Sequence, residues 1–232
     1  MDIGLELLAV AAAGWGAGWL LQRHLQHTLE ILSLPEGPDL PPVPKKTQRP
    51  VFLAWGLSAG TVGLFLLRGA TPLFLQEWIL GVSLLGIAWV DLKTLYIDTP
   101  LLLLSALLQG ALLWFVEPEV LPERILALLV GAGGLYWIGV IYETLRHREG
   151  LGSGDAAVLG LLGLWTGAAA LPVITLGAAV LGLLWGGVLM LRSGSQALQT
   201  AFPFAPCLCL SGAATYAAQA LCHCSLLELW MH

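Results

Sequence analysis

Two aspartates, Asp91 and Asp155, stand at the ends of apolar runs, where an ionised carboxyl group is costly unless it is paired, hydrated or neutralised. Gly152 and Gly154 precede Asp155, and glycines there would let the backbone turn tightly and an extended peptide approach closely. Two neighbouring carboxyl groups can share one proton, because like charges at close range resist joint ionisation. The carboxylate could then activate a water while the protonated partner donates to a peptide carbonyl oxygen. This is aspartic peptidase chemistry, and it needs no metal.

The composition places these acids in a membrane protein. The 232 residues are 57% hydrophobic and only 11% charged, whereas soluble domains carry about 25% charged residues. Such a chain cannot cover a globular surface with polar groups, so we expect lipid to surround most of it. No basic run or aromatic-basic interleaving points to nucleic acid, and we expect no such partner.

Apolar segments of spanning length predict an all-α polytopic membrane protein with about eight transmembrane helices. The first is interpreted as a retained helix rather than a signal peptide, because no basic residue precedes it. Residues 23–50 are polar and proline-rich, which predicts one long loop within a single transmembrane domain of residues 1–232. The predicted helices are 3–22, 51–68, 74–91, 99–116, 124–143, 155–170, 171–192 and 204–222.

The basic residues orient the predicted helices. Eight of the ten Lys and Arg residues fall in loops on one side, and only Arg68 and Arg124 lie opposite. The positive-inside rule then places the N-terminus outside and the long loop in the cytoplasm. Asp91 and Asp155, 64 residues apart in sequence, both fall at the cytoplasmic membrane boundary. Acids at helix ends favour a catalytic pair over a proton or cation transporter, for which acids near the bilayer midplane are expected.

Three short sequence elements occur in a recognisable order over about residues 75–222. Asp91 ends a helix and is followed six residues later by Ile97; Gly-Ser-Gly then precedes Asp155; and Phe-Pro-Phe-Ala-Pro fills 202–206. Together these elements resemble the motifs of the type IV prepilin peptidases. The resemblance implies a bacterial inner-membrane enzyme that cleaves the basic leader of type IV prepilins or type II secretion pseudopilins at the cytoplasmic face. It also implies that Asp91 and Asp155 are the catalytic pair.

The sequence departs from the family pattern at several positions. Where the family has Ile-Pro-Asp or Ile-Pro-Asn, this chain has Asp98 and Thr99 before Pro100, which predicts a helix N-cap. Ala157 stands where the family often has a lysine. Many members carry a four-cysteine zinc module in the first cytoplasmic loop, but residues 23–50 contain no cysteine. We therefore expect peptidase activity with no cofactor and no metal, and we do not expect methyl transfer to the new N-terminus.

Two further acids are candidate auxiliary residues. For Asp98, helix capping is favoured over a direct role in catalysis. Glu149 lies in a basic loop, where it either stays solvated or helps to bind a basic leader. The cysteines lack the spacing of a zinc site and favour helix packing: Cys207, Cys209, Cys222 and Cys224.

Two alternatives to an active peptidase stay open. One is a non-catalytic relative that serves pilus or secretion assembly, and the other is a proton- or cation-coupled transporter. The expected partners are a prepilin or pseudopilin substrate and membrane lipid. The sequence leaves open which substrate is cleaved and what the oligomeric state is.

Overall fold

The computed structural model describes residues 3–32, 51–146, 152–193 and 202–222. Within these ranges every regular element is helical, which agrees with the predicted all-α class. The short 3-10 turn at Ala168–Ala170 separates the sixth and seventh α-helices. The α-helices are α1 (Ile3–Leu32), α2 (Val51–Arg68), α3 (Pro72–Thr94), α4 (Thr99–Val116), α5 (Leu121–Arg146), α6 (Ser153–Thr166), α7 (Leu171–Ser193) and α8 (Ala205–Cys222).

The first helix corrects one predicted boundary. The loop expected from residue 23 does not begin there, because α1 continues to Leu32. Leu21, Leu25 and Leu29 recur every four residues on one face of the helix, and all three are buried. The polar residues between them occupy the other faces, so an apolar stripe persists where the average composition turns polar. Residues 33–50 of the predicted loop lie outside the described residues.

The chain forms two compact units, residues 1–86 and 87–232, and the division falls within α3. In the first unit α1 packs on α2, and the backbone of Gly14 approaches the side chain of Thr61. Arg68 holds Glu77 by two hydrogen bonds of 2.6 and 3.1 Å between the end of α2 and the start of α3. One domain over the whole chain stays a prediction.

In the second unit α6 is the central helix. It contacts α4, α5, α7 and α8, and every residue from Val158 to Thr166 is buried. Its packing on α5 depends on glycines, since a Cβ on Gly163 would lie 2.6 Å from the carbonyl oxygen of Ala127. A Cβ on Gly131 would lie 2.8 Å from the carbonyl oxygen of Leu159. The two backbones therefore touch, as small residues allow in membrane helix pairs.

This close approach predicts a stability difference between two α-helical glycines. Gly163→Ala is expected to lower the free energy of unfolding by about 1–3 kcal/mol, because the methyl group would collide with backbone that cannot move aside. Gly133→Ala is the matched control, since its Cβ would meet nothing within 4 Å. Thermal unfolding of the purified proteins in detergent measures both. Equal stability of the two variants would contradict the observed α5–α6 contact.

The C-terminal end of α6 is fixed by side chains from two neighbouring helices. Arg124 of α5 donates to the carbonyl oxygen of Trp165 at 2.8 Å, and Gln219 of α8 donates to that of Thr166 at 3.1 Å. Carbonyl groups in the last turn of a helix have no partner within it, so these donors satisfy them. The position of α6 along its own axis is thereby set, and with it the position of Asp155 at the opposite end.

Among the described residues, four helical segments are long and apolar enough to cross a membrane: Pro72–Thr94, Thr99–Val116, Leu121–Arg146 and Ala168–Leu191. Large apolar side chains are exposed on these segments, for example Phe115 and Leu183. Lipid is the solvent that such surfaces fit. The described residues are thus all-helical with four candidate membrane spans, and the predicted count of about eight membrane helices stays a prediction.

Candidate active site

Asp91 lies in the last turn of α3, and its side chain is only 5% exposed. Val90 and Ile87 beside it are fully buried. Among the described residues, the Oδ2 atom of Asp91 has no hydrogen-bond partner. The Lys93 ammonium lies over the Trp89 ring, 5.3 Å from its centroid, rather than against this carboxyl group. A buried, unpartnered carboxyl oxygen is costly to stability, which makes Asp91 a candidate functional residue.

The chain leaves α3 through a strained residue. Leu95 has φ of 56°, a left-handed conformation that a branched side chain rarely adopts. Its backbone N–H donates to the carbonyl oxygen of Asp91 at 2.9 Å, which closes the end of the helix. Such a conformation costs on the order of 1–3 kcal/mol and persists where surrounding contacts require it. Here it turns the chain so that Ile97 packs against α6.

Asp155 lies in the first turn of α6, where the sequence placed it. Its backbone N–H donates to the carbonyl oxygen of Gly152, the N-cap residue, at 3.1 Å. A negative charge at this position is favoured by the unpaired N–H groups and the dipole of the helix. Gly152 itself has φ of −68° and ψ of 135°, an extended conformation open to any residue. A Cβ there would make an ordinary 3.4 Å contact with Oδ2 of Asp155.

Gly154 lets the helix end that carries Asp91 lie close to the helix start that carries Asp155. It lies inside α6, and a Cβ added to it would collide with the side chain of Ile97, whose own Cβ would be 2.9 Å away. Only a residue without a side chain lets the segment after α3 lie against the first turn of α6. The Ile97–Gly154 contact therefore aligns the end of α3 with the start of α6. The sequence predicted that both glycines allow a tight turn and the close approach of an extended peptide, whereas the contact with Ile97 was not predicted.

The two carboxyl groups lie close enough to interact. The Asp155 carboxyl is within electrostatic range of Asp91, and the backbone N–H of Ala205 donates a hydrogen bond to the Asp91 carboxyl. Ala205 is the first residue of α8 and is fully buried. The site is thus built from the end of α3 and the starts of α6 and α8. Pro206, which has no N–H, marks a helix start in the sequence and was the available signal for α8.

Asp98 is a structural neighbour of the site. It is fully buried, and its Oδ1 accepts the backbone N–H of Leu101 at 3.1 Å, with Pro100 in the first turn of α4. The predicted N-cap role is confirmed, while an auxiliary part in catalysis stays a prediction. Glu149 lies outside the described residues.

Two thiols lie near the carboxyl pair at the start of α8. Cys207 and Cys209 are buried and free, and both are within electrostatic range of Asp91 and Asp155. In the part of the chain that the structure describes, no group of three His, Cys, Asp or Glu side chains could hold a metal ion. The predicted packing role of these cysteines agrees with their burial, whereas Cys224 falls beyond the described residues.

Comparison with known proteins assigns the chain to a family. A family model described as the type IV leader peptidase family matches residues 78–187. Leader peptidase HopD of Salmonella typhimurium is 37% identical over 108 residues, which cover 46% of this chain and 70% of that protein. This chain belongs to the type IV leader peptidase family. The membership predicted from the motifs is confirmed, and the matched residues include Asp91, Ile97, Gly154 and Asp155.

Other relatives of this leader peptidase family member match a longer part of the chain. A prepilin leader peptidase/N-methyltransferase of Pseudomonas putida is 31% identical over 162 residues, 70% of this chain and 52% of that protein. One from Burkholderia pseudomallei (strain K96243) is 35% identical over 162 residues, 68% of this chain and 50% of that protein. The chain spans about half the length of these relatives. No solved structure matches. With its candidate spans, this family member is a multi-pass membrane protein.

Proposed function

We propose that this protein is a membrane aspartic endopeptidase that cleaves the basic leader of type IV prepilins or type II secretion pseudopilins. The supporting observation is that Asp91 and Asp155, on different helices, lie within electrostatic range of each other, with the helix ends that carry them held together by the contact of Ile97 with Gly154. Relatives named as prepilin leader peptidases supply the substrate class. A helix hides its peptide bonds, so the substrate presents the scissile bond in an extended segment.

The two carboxyl groups act as a pair that shares one proton. The ionised carboxyl takes a proton from a water, whose oxygen attacks the carbon of the scissile peptide bond. The protonated carboxyl gives its proton to the carbonyl oxygen, and a tetrahedral diol forms. Collapse of the diol breaks the C–N bond, and a proton passes to the departing nitrogen. The unpartnered Oδ2 of Asp91 has free capacity to hydrogen-bond the water or the diol.

The active site of this enzyme faces the cytoplasm at the bacterial inner membrane, with about eight helices in the bilayer and the N-terminus outside. Two observations support this arrangement. The Ile97–Gly154 contact brings the end of α3 and the start of α6 to one level, as two intervening crossings by α4 and α5 require. Eight of ten basic residues then lie on that side. Fluorescence and phosphatase fusions at residues 37 and 118 report the side of each loop.

The direct test is co-expression with a prepilin in a host without its own leader peptidase. Processed pilin with the leader removed is expected, detected by mass spectrometry of the new N-terminus. An intact, membrane-inserted chain that leaves the prepilin uncut would favour the non-catalytic alternative, which the alanine at position 157 motivates. The same spectrum reports any methyl group on the new N-terminus, which we do not expect.

Removal of divalent metal ions is expected to leave cleavage unchanged. The paired carboxyl groups supply both the base and the acid, so the reaction as proposed does not depend on a metal. The measurement is the initial rate of leader cleavage in detergent with and without EDTA. A fall in rate of about tenfold or more that added Zn²⁺ restores would contradict the metal-free mechanism.

A further inference from the structure

A groove of about 510 Å³ runs between α5 and α7 in the second unit, and α6 forms its floor. Its walls include Gly134 and Ile138 of α5 and Leu176 and Ala179 of α7, and Leu159 lies in the floor. The groove is open along one side rather than enclosed. The two walls belong to candidate membrane spans, so whatever fills the groove enters from the bilayer.

The chemistry of the lining selects an apolar occupant. Thr175 is the one hydroxyl residue among the side chains that line the groove, and its hydroxyl already donates to the carbonyl oxygen of Leu171 at 2.8 Å. Each wall of the groove includes a small residue, Gly134 on α5 and Ala179 on α7, so side chains leave space there. Small residues in opposing positions let a membrane helix approach closely, whereas a single flexible acyl chain does not need them.

The groove leads to the candidate active site. Gly131 contacts Leu159 and Gly160, and Gly163 contacts Ala127, so α5 and α6 run antiparallel with a fixed register. This register puts Leu135 and Ile138, both lining residues, level with the first turn of α6. Leu159 follows Asp155 by one helical turn and lies on nearly the same face of α6. A helix in the groove would therefore end at the level of Asp155.

We propose that this groove holds the apolar, helical stem of the protein substrate, the part that would lie in the membrane while the basic leader stays in the cytoplasm. The proposal rests on the proposed function and names the surface that positions the substrate. With its helix in the groove, the substrate has to leave helical structure beside Asp155, which is where an extended bond is required. The leader then lies beyond the start of α6, on the side of the basic loops.

Cross-linking tests which molecule occupies the groove. A photoreactive amino acid at position 179 in the Asp155→Asn background, with a prepilin co-expressed, is expected to give an adduct with the prepilin helix. The same amino acid at position 180 is the matched control, because Val180 is also exposed and lies next along the helix but does not line the groove. An adduct of position 179 with lipid or with a second copy of this chain, or equal prepilin adducts at both positions, would overturn the proposal.

A groove-filling substitution tests the consequence for cleavage. Gly134→Leu is expected to lower the rate for membrane-inserted prepilin by about tenfold or more, and Gly133→Leu to change it by less than about twofold. A Cβ meets nothing within 4 Å at either glycine, so both positions have room for the first side-chain atom, and the thermal stability of each variant in detergent checks that it still folds. Equal rates for the two variants would overturn the proposal that the groove binds the substrate. Failure of the unmodified protein to cut any prepilin would instead overturn the proposed function.

Discussion

Asp91→Asn and Asp155→Asn are each expected to abolish leader cleavage. An asparagine keeps the shape of the side chain but can neither take up the water proton nor give one to the carbonyl oxygen. Loss of general acid–base catalysis alone is worth about 10²–10⁴-fold in rate. Both groups act on the same water and peptide bond, so the double variant is expected to be no slower than the single ones. The measurement is the rate of prepilin processing by membranes that contain equal amounts of each protein.

Glu119→Gln is the matched control for these substitutions. It removes one carboxylate from an exposed loop position between α4 and α5, far in sequence from both aspartates. It is expected to leave the rate within about twofold, because an exposed charge contributes little. Normal processing by either Asn variant would exclude the pair as the catalytic groups.

Gly154→Ala and Gly152→Ala are expected to differ sharply, although both glycines belong to one short motif. A methyl group at Gly154 would collide with Ile97 and push the end of α3 away from the start of α6. A misplacement of about 1 Å costs on the order of 10²-fold in rate. At Gly152 the backbone conformation suits any residue, and a Cβ would make only a 3.4 Å contact, so cleavage is expected to fall by less than about threefold.

A second substitution makes this prediction specific. Ile97→Ala removes the side-chain atoms beyond Cβ that obstruct a methyl group at Gly154, so Ile97→Ala with Gly154→Ala is expected to recover part of the lost rate. The rates of the single and double variants, measured at equal protein amounts, give the coupling between the two positions. Equal damage from Gly152→Ala and Gly154→Ala would favour substrate approach, as the sequence alone suggests, over the contact with Ile97.

Much of the fold could be predicted from the sequence, because lipid imposes long apolar runs that composition reveals. Seven of the eight predicted segments agree with a described helix to within about four residues at each end. The exception is α1, where buried Leu25 and Leu29 continue a stripe that the average polarity of the segment conceals. Periodicity carries that information, whereas a mean over the window does not.

The candidate site was only partly predictable. Asp91 and Asp155 could be found because an ionised acid at the boundary of an apolar run is costly unless it is paired or hydrated. The contact of Ile97 with Gly154 and the hydrogen bond from Ala205 depend on which helices pack together, and no periodicity within one helix encodes that choice. The central position of α6 could not be predicted for the same reason. Its apolar residues resemble those of the lipid-facing helices, since protein and lipid interiors select similar side chains.

The two candidate carboxyl groups are held in different ways. One end of α6 is held by Arg124 and Gln219, and its length lies against the backbone of α5, so we expect Asp155 to move little as a peptide enters and its fragments leave. Any adjustment of the gap between the carboxyl groups would then come from the segment that carries Asp91. The left-handed residue Leu95, which follows that aspartate, is where we expect the adjustment to occur.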